Sequence, residues 1–287
     1  MATRENIVVT GATGQLGRLV LTELQKVAPS ARLIGLVRDP TKAQNLAAAG
    51  VELRTASYDD PASLRAGFAG ADKLLLISGS EVGQRAAQHR NMIDAAKAAG
   101  VGFIVYTSLL HAPRYGMALA EEHLATEALL RESGIVHTLL RNGWYSENFT
   151  FSAARDIQAG KYFGAAGDGR FSTASRQDFA EAAAVVLAGG HEGKVLELAG
   201  DTSLTLADYA AQLSAIATKP VEYVNLPEAA YRDALIGAGL PAPFAAVLAD
   251  THAKAASGAL QDDSNTLSKL IGRSTTLIAD TIKTQLA

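Results

Sequence analysis

Short apolar runs and stretches with helical apolar spacing alternate along the first half of the chain. A continuous apolar run is typical of a strand covered on both faces, as in a parallel sheet. The six runs lie at residues 7–9, 32–37, 51–55, 74–77, 103–106 and 136–140. Strands that alternate with helices in this way predict an α/β domain with a doubly wound parallel sheet and right-handed crossovers.

The pattern changes after about residue 150, where shorter strand-like pieces appear between helical stretches. The strand-like pieces lie at residues 161–164, 171–173 and 194–198, and the helical stretches at 177–188, 206–217 and 227–237. We therefore expect two domains. Residues 1–150 form the sheet domain, and residues 151–287 form a smaller C-terminal α/β lobe that packs partly back on it and closes over a ligand.

A glycine-rich turn follows the first apolar run, with the sequence T-G-A-T-G-Q-L-G from Thr10 to Gly17. Gly11 lets the chain reverse, Gly14 lets the backbone approach a pyrophosphate, and Gly17 lets the helix pack closely on the strand. The amides at the helix start then face the phosphates. This strand–turn–helix order predicts a dinucleotide-binding (Rossmann) fold, although glycines also mark ordinary turns.

The residues after the second apolar run indicate which dinucleotide is bound. An acid at this place accepts the ribose hydroxyls of NAD, whereas cations bind the 2′-phosphate of NADP. Arg38 occupies the place, Lys42 follows one helical turn later, and the side chain of Asp39 is expected to point away from the ribose. An arginine fork suits phosphate, so NADPH is favoured over NADH. The alternative is that Arg38 and Lys42 form a solvated helix entrance.

Polar segments follow the later strands, at the edge of the sheet where ligands bind in such folds. They lie at residues 78–83, 107–111 and 141–148. Small residues such as Ser78 leave room for a cofactor, and Tyr58 and Asp59 lie where an adenine would rest. Asp60 before Pro61 is interpreted as a helix N-cap, and Trp144 as a core residue rather than a ligand contact.

Composition narrows the classes of protein that remain. Hydrophobic residues make up 48% of the 287 residues and charged residues 19%, so a sizeable core is expected. A net charge of −3 without a basic block argues against nucleic acid. There is no cysteine, and the six histidines form no set with metal-ligand spacing, so no metal site is expected. No apolar run is long enough to span a membrane, and no signal peptide pattern precedes the first strand. We expect a cytoplasmic protein.

The proton relay of the short-chain dehydrogenases, a Y-x-x-x-K pair, is missing. None of the eight tyrosines has a lysine four residues later, and the helix after the fifth strand carries Leu119 and His123 instead. An acceptor that takes hydride readily and leaves a stabilised anion is therefore favoured, and a quinone fits that description. His123 either stabilises the developing oxyanion or supplies a proton, or it is a helix-surface residue paired with Glu127.

Several longer segments together resemble one family. They are T-G-A-T-G-Q-L-G, V-R-D-P, A-S-Y-D-D-P, S-E-V-G-Q-R, Y-T-S-L-L-H, L-L-R-N-G-W-Y-S-E-N, A-A-G-D-G and D-D-S-N-T-L-S-K-L-I-G. The chain resembles the NmrA-like branch of the atypical short-chain dehydrogenases over its whole length, and within it the NADPH-dependent quinone reductases of bacteria. The resemblance implies the two-electron reduction of a quinone by NADPH without flavin.

The resemblance also implies a set of residues that line the cofactor. They are Gly11, Ala12, Thr13, Gly14, Gln15, Leu16 and Gly17, then Arg38, then Ser80, Glu81 and Val82, and finally Gly143, Trp144, Tyr145, Ser146, Glu147 and Asn148. Lys42, Ser78 and Ser108 join this set by their positions in the predicted fold, and the nicotinamide is expected to point towards Ser108, His123 and the 143–148 loop. Tyr145 and Asn148 are expected to position the cofactor amide or the quinone oxygen. Many relatives have lysine at the place of His123, so its role as a proton donor is left open.

Two other functions fit the same sequence. NmrA-like proteins include dinucleotide-binding redox sensors, and the missing Y-x-x-x-K pair suits such a protein equally well. The acceptor could also be another conjugated molecule, such as an azo or triphenylmethane dye. The sequence leaves the oligomeric state open, with a homodimer as one arrangement.

Overall fold

The computed structural model describes residues 4–79, 81 and 83–287. The strands are β1 Asn6–Val9, β2 Arg32–Val37, β3 Glu52–Thr55, β4 Lys73–Leu76, β5 Phe103–Leu109, β6 Val136–Asn142, β7 Lys161–Gly164, β8 Val195–Leu198 and β9 Glu222–Asn225. The helices up to β8 are α1 Gln15–Val27, α2 Gln44–Ala48, α3 Pro61–Gly67, α4 Arg85–Ala98, α5 Ala118–Ser133, α6 Glu147–Thr150, α7 Ala153–Ala159 and α8 Arg176–Ala188. The remaining helices are α9 Leu206–Ala217, α10 Glu228–Gly237, α11 Ala242–Ala255, α12 Thr266–Ile271 and α13 Ile278–Leu286.

A seven-stranded sheet with the order β3-β2-β1-β4-β5-β6-β8 forms the centre of the fold. β1 pairs in parallel with β2 on one side and with β4 on the other, so that Val8 lies opposite both Ile34 and Leu74. β2 also pairs in parallel with β3, and β4 with β5. This arrangement confirms the predicted doubly wound sheet.

The chain divides into two compact, interleaved units. The first comprises Met1–Ser108, Glu122–Arg141 and Phe179–Leu196, and the second comprises Leu109–Glu121, Asn142–Asp178 and Glu197–Ala287. A single domain boundary at residue 150 stays a prediction, since these units divide the chain at other places. The core of the first unit is continuous and apolar, and Val8, Ile34, Leu74, Ile104 and Tyr106 lie in it.

In the second unit, a two-stranded parallel sheet of β7 and β9 is accompanied by buried aromatic rings. Phe149 makes edge contacts with Phe171 and Tyr162, at ring-centroid distances of 5.1 and 6.3 Å. Tyr162 in turn contacts Tyr209 at 4.9 Å. Such rings bury a large area per residue and dominate the packing of a small core.

Three details of the predicted elements are wrong. Residues 194–198, expected in the C-terminal lobe, form the edge strand β8 of the main sheet. Residues 171–173 form no strand, and Phe171 makes only an isolated bridge to Leu204. The helix expected from residue 41 is a 3₁₀ turn, Pro40–Ala43, followed by the short α2. For the two strand-like segments the partner lies far away in sequence, which local periodicity does not report. The 3₁₀ turn has a local cause, since Asp39 caps it at Thr41 and Pro40 occupies its first position.

The N-cap assigned to Asp60 is confirmed, because its carboxylate accepts hydrogen bonds from the amides of Ala62 and Ser63 at 3.0 and 3.3 Å. These bonds lower the pKa of Asp60. Pro61 occupies the first turn of α3, as the sequence predicts.

A fully buried carboxylate joins the start of α8 to a segment near the C-terminus. Asp178 accepts hydrogen bonds from the amide and hydroxyl of Ser175 at 3.0 and 2.8 Å. Its carboxylate also accepts from the amide and hydroxyl of Thr276, each at 3.0 Å, and lies 2.7 Å from the guanidinium of Arg273. One side chain therefore satisfies donors from two segments of the second unit.

We predict that Asp178→Ala lowers the free energy of unfolding by about 3 kcal/mol, because several buried donors lose their acceptor at once. Urea denaturation followed by circular dichroism measures the change. Asp280→Ala is the matched control, since Asp280 is exposed and forms an ion pair with Lys283, one turn away. Its cost should stay below about 1 kcal/mol. Equal costs for the two substitutions would contradict the structural role of Asp178.

Candidate functional site

The direction of the strand order reverses at β1, since the chain first builds outward to β3 and then returns to place β4 on the other side. Hydrogen bonds from backbone amides to threonine hydroxyls fix the ends of these strands. The amide of Ile77 donates to the hydroxyl of Thr10 at 2.9 Å, and the amide of Ser78 donates to the hydroxyl of Thr107 at 2.8 Å. Threonines at the ends of β1 and in β5 therefore hold the chain leaving β4 from both sides. Ligands bind at this kind of reversal in doubly wound sheets.

The glycine turn contains a very close backbone approach. Gly11 has a left-handed φ of +58°, and its carbonyl accepts a hydrogen bond from the amide of Gly14 at 2.9 Å. A Cβ on Gly17 would lie 2.3 Å from that same carbonyl oxygen, and a Cβ on Gly14 would lie 3.1 Å from it. Gly17 thus leaves room for the turn itself, whereas the sequence predicted that it leaves room for the strand. The turn keeps this shape only with glycine at position 17, and the left-handed φ of Gly11 also favours glycine.

The start of α1 is suited to an anion. Gly14 is its N-cap residue, no side chain caps the first turn, and no acidic residue lies in that turn. The first amides of the helix are therefore not satisfied by the helix or by a cap. Such an N-terminus attracts a pyrophosphate through its amides and its dipole. The residues present fit the phosphates of a dinucleotide.

The other residues of the turn divide into buried and accessible ones. Ala12 and Leu16 are buried, Gln15 is exposed, and Thr13 is half-buried. The carbonyl of Thr13 accepts a hydrogen bond from Arg18 at 2.9 Å. Ala12 and Leu16 thus belong to the core by their side chains, and only their backbone is available for a cofactor contact.

The two cations that were expected to read the cofactor phosphate are accessible. The side chains of Arg38 and Lys42 are each 79% exposed. Asp39 caps the following 3₁₀ turn by accepting from the hydroxyl and the amide of Thr41 at 2.6 and 3.0 Å. The hydroxyl bond first, and then the amide bond, lower the pKa of Asp39. Its carboxylate is therefore engaged with its own turn.

Tyr58 lies against the glycine turn. Its hydroxyl is 3.8 Å from the place where a Cβ of Gly11 would be. Burial raises the pKa of Tyr58, while hydrogen bonds to Thr10 and Gly11 and the charge of Arg38 oppose this increase. The hydroxyl of Tyr58 thus lies beside the turn and is close enough to Arg38 for its charge to act on it. A contact with the adenine stays a prediction for Tyr58 and Asp59.

His123 is not the surface residue of the alternative interpretation. It is 4% exposed, and its Nδ1 lies 2.8 Å from the hydroxyl of Tyr106. Burial, together with the charge of Arg85 and the ring of His89, lowers the pKa of His123 to about 3. The imidazole is therefore neutral at pH 7. A role in proton donation stays a prediction, and it would have to come from the neutral ring.

Glu127, one turn further along α5, makes the contacts that sequence reasoning missed. It is 2% exposed and accepts a 2.6 Å hydrogen bond from the hydroxyl of Ser108. Arg141 donates to both oxygens of the same carboxylate, at 2.9 and 2.7 Å. The hydroxyl proton of Ser108 is thus directed to Glu127, and its oxygen keeps lone pairs that can accept further bonds. The only sequence signal was the spacing of Glu127 from His123.

The segment that follows β4 is anchored by side chains of α4 and α5. The amide of Gly79 donates to Nε2 of His89 at 3.1 Å, and the carbonyl of Gly79 accepts from Arg85. Nδ1 of His89 lies 2.8 Å from the hydroxyl of Thr126, so the bond from Gly79 assigns the proton of the neutral ring to Nδ1. Glu122 accepts from the amides of Gly83 and Arg85 at 3.0 and 3.2 Å. Two predicted site residues of this segment, Ser80 and Val82, lie outside the described residues.

The loop of residues 143–148 belongs to the second unit and is organised by Arg176. The guanidinium of Arg176 lies 5.0 Å from the ring centroid of Tyr145 and donates to the side chain of Asn148 at 3.0 Å. The backbone amide of Arg176 donates to Glu147 at 2.9 Å. Sequence reasoning did not single out Arg176, because nothing local connects it with a loop so far upstream.

The remaining residues of this loop are held by their own neighbours. The amide of Gly143 donates to the carbonyl of Leu198 at 2.7 Å, and the hydroxyl of Ser146 donates to that of Thr173 at 3.2 Å. Trp144 is buried, as the core interpretation expects. Its Nε1 has no hydrogen-bond partner among the described residues.

The part of the chain that the structure describes contains neither a cluster of metal-ligating side chains nor a membrane-spanning helix. Within it, no group of three or more His, Asp and Glu side chains is arranged to hold a metal ion. None of its helices combines the length and the apolar character that crossing a bilayer requires.

The fold and the turn define a dinucleotide-binding protein of the short-chain dehydrogenase type, and comparison with known proteins gives the family. The model of the NmrA-like family matches residues 3–279, so the chain belongs to that family. It is 54% identical to Quinone oxidoreductase 2 of Escherichia coli over 96% of this chain and 97% of that protein.

Two solved structures are also very similar. The crystal structure of an NADPH-dependent quinone oxidoreductase from Escherichia coli in complex with NADPH has a TM-score of 0.95 and 54% identity, covering 98% of this chain and all of that one. Citrobacter triphenylmethane reductase in complex with NADP(H) has a TM-score of 0.92 and 38% identity, covering 97% of this chain and 99% of that one.

We predict that Gly17→Ala weakens NADPH binding more than tenfold, or about 1.4 kcal/mol, because the new methyl group displaces the carbonyl of Gly11. Titration of NADPH fluorescence measures the affinity. Gly237→Ala is the control, since a Cβ there meets nothing within 4 Å. An unchanged affinity of the Gly17 variant would show that the turn does not hold the cofactor.

We predict that the protein loses stability as the pH falls below about 6.5. The pKa of His89 and of His123 is lowered to about 3 in the fold, so the unfolded chain binds more protons between these values. The free energy of unfolding should therefore fall with decreasing pH by up to about 1.4 kcal/mol per pH unit for each ring.

Urea denaturation between pH 7 and pH 4 measures this slope. His123→Gln should make the slope shallower, whereas His191→Gln, at a half-buried position, should change it less. If both variants keep the slope of the parent, His123 does not cause the acid sensitivity.

Proposed function

We propose that this protein reduces quinones by two electrons with NADPH as the hydride donor and without flavin. The observation that carries the proposal is the similarity over nearly its whole length to Quinone oxidoreductase 2 of Escherichia coli. The glycine turn with its uncapped helix start and the exposed Arg38 supply matching local chemistry. Quinone and NADPH are therefore the substrates that we infer.

The chain's own residues have distinct tasks in this proposal. Amides of the 11–17 turn hold the pyrophosphate, and Arg38, with Lys42 nearby, binds the 2′-phosphate. NADPH, when bound, supplies a hydride that carries two electrons to the quinone ring. Most of the rate then comes from holding two flat reactants together.

The reduction also requires a proton, because hydride addition to a quinone leaves a hydroquinone anion. The ring stabilises this anion, so its protonation can follow the hydride step with water as the proton source. The hydroxyl of Ser108 donates its hydrogen bond to Glu127, so its oxygen can accept a further hydrogen bond but has no second proton to donate. His123 can donate only as a neutral ring. This distribution of protons suits an acceptor that needs no strong acid in the protein.

Tyr145 and Asn148 remain our candidates for positioning the cofactor amide or the quinone oxygen. Arg176 contacts both side chains and fixes them within the second unit. The other cofactor contacts assigned by resemblance, a homodimer and a cytoplasmic location also remain predictions.

A dye reductase is the second candidate function. It is supported by the 38% identity to Citrobacter triphenylmethane reductase, which was solved in complex with NADP(H). A triphenylmethane cation takes a hydride at its central carbon, and a quinone that takes a hydride at a carbonyl oxygen becomes the hydroquinone anion. Neither step needs a proton at the same time. The two functions therefore place the same demands on the site described here.

We predict that the purified chain, free of flavin, oxidises NADPH in the presence of 1,4-benzoquinone with a turnover on the order of 1 s⁻¹ or faster. The loss of NADPH absorbance under anaerobic conditions measures the rate. Reactions without acceptor, and with a triphenylmethane dye in place of the quinone, are run in parallel. Turnover only with the dye would favour the second candidate. NADPH binding without turnover on any acceptor would favour a redox sensor.

A further inference from the structure

An acidic side chain contacts the arginine that is expected to bind the cofactor phosphate. Oε1 of Glu81 lies 3.5 Å from the guanidinium of Arg38. Both side chains are accessible, with 52% of Glu81 and 79% of Arg38 exposed. A phosphate that approaches Arg38 from solvent therefore meets this carboxylate beside it.

The side-chain amide of a buried glutamine donates a hydrogen bond to the carboxylate of Glu81. Gln88 of α4 is 4% exposed, and its Nε2 donates to Oε2 of Glu81 at 3.1 Å and to the carboxylate of Asp59 at 3.3 Å. The two hydrogens of one amide thus connect two acidic side chains. Glu81 is left with its other oxygen directed to Arg38.

The surroundings connect this pair with the glycine turn. The charge of Arg38 acts on Tyr58, whose hydroxyl lies beside Gly11. The peptide of Gly79, two residues before Glu81, is fixed on both sides by Arg85 and His89. Gly79 is therefore anchored in the first unit, and Glu81 has its own contacts to Gln88 and Arg38.

We propose that Glu81 is a specificity-determining residue that competes with the 2′-phosphate for Arg38 and so limits the preference for NADPH over NADH. This rests on the proposed use of NADPH, but not on the identity of the acceptor. A dianionic phosphate at Arg38 is repelled by Glu81 and must replace or share its contact. NADH carries no phosphate there, and its ribose hydroxyls can donate to a carboxylate. One acid thus weakens binding of the first cofactor without penalising the second.

The test measures the dissociation constants of NADPH and NADH for Glu81→Gln by fluorescence titration at low salt, with no acceptor present. Exposed ion pairs are weak, so we expect NADPH to bind about threefold more tightly and NADH to bind no more tightly than to the parent. Asp94→Asn is the matched control, because it removes the same charge from an exposed position of α4. It should leave the ratio of the two constants unchanged.

The double variant Arg38→Gln/Glu81→Gln separates competition from a general effect of charge. With Arg38 absent, removal of Glu81 should change the NADPH constant by less than half of its effect in the parent. An equal gain in both backgrounds, or an equal gain for NADH, overturns the proposal. Because no quinone is present, failure here is distinct from failure of the proposed reductase activity. If Arg38→Gln alone leaves the ratio of NADPH to NADH affinity unchanged, then Arg38 does not read the phosphate and the proposal fails at its premise.

Discussion

The close approach of backbone to backbone inside the first β–α turn is the constraint on which the candidate site depends. The carbonyl oxygen of Gly11 occupies the space that a Cβ of Gly17 would need, at 2.3 Å. Because the turn is so tight, α1 begins directly after β1, and its first amides are left without a capping side chain. A wider turn with side chains would fill this space and satisfy these amides. The candidate anion site therefore depends on the absence of side chains at the glycines of this turn.

On the other side of the point where the strand order reverses, hydrogen bonds with side chains fix the backbone that leaves β4. Thr10 and Thr107 hold the chain where it leaves β4, and His89 and Arg85 hold the peptide of Gly79. Buried polar groups are costly unless they are paired, so these side-chain bonds favour one path for the backbone that leaves β4. This rigidity limits the pH range over which the fold is stable, because the buried His89 must stay neutral to accept the hydrogen bond from Gly79.

The sequence predicted the strands and the turn that frame the candidate site on the first unit better than the contacts that support them. Six apolar runs, the glycine spacing and the place of Arg38 follow from local rules, and the structure contains all of them. Glu127 and Arg141 pair across 14 residues, and Gln88 meets Asp59 across 29. Such contacts depend on how helices pack on the sheet, which periodicity does not report. The same limit explains why β8 was assigned to the wrong part of the fold, since nothing within four residues identifies β6 as its neighbour.

The charge buried beside the end of β5 bears on the kind of acceptor that the protein can reduce. A Y-x-x-x-K pair would put an ammonium there, which lowers the pKa of a tyrosine and lets it protonate an alkoxide. This chain instead buries the carboxylate of Glu127, neutralised by Arg141, and leaves His123 uncharged. The carboxylate of Glu127 next to Ser108 disfavours a negative charge on the Ser108 oxygen, so the Ser108 hydroxyl keeps its proton. Neither Ser108, whose hydroxyl is bonded to Glu127, nor the neutral His123 is a strong acid toward an alkoxide from a simple ketone. A hydroquinone anion or a neutral reduced dye does not need a strong acid in the protein. The buried Glu127–Arg141 pair, which does not favour the reduction of simple ketones, is therefore compatible with both acceptors.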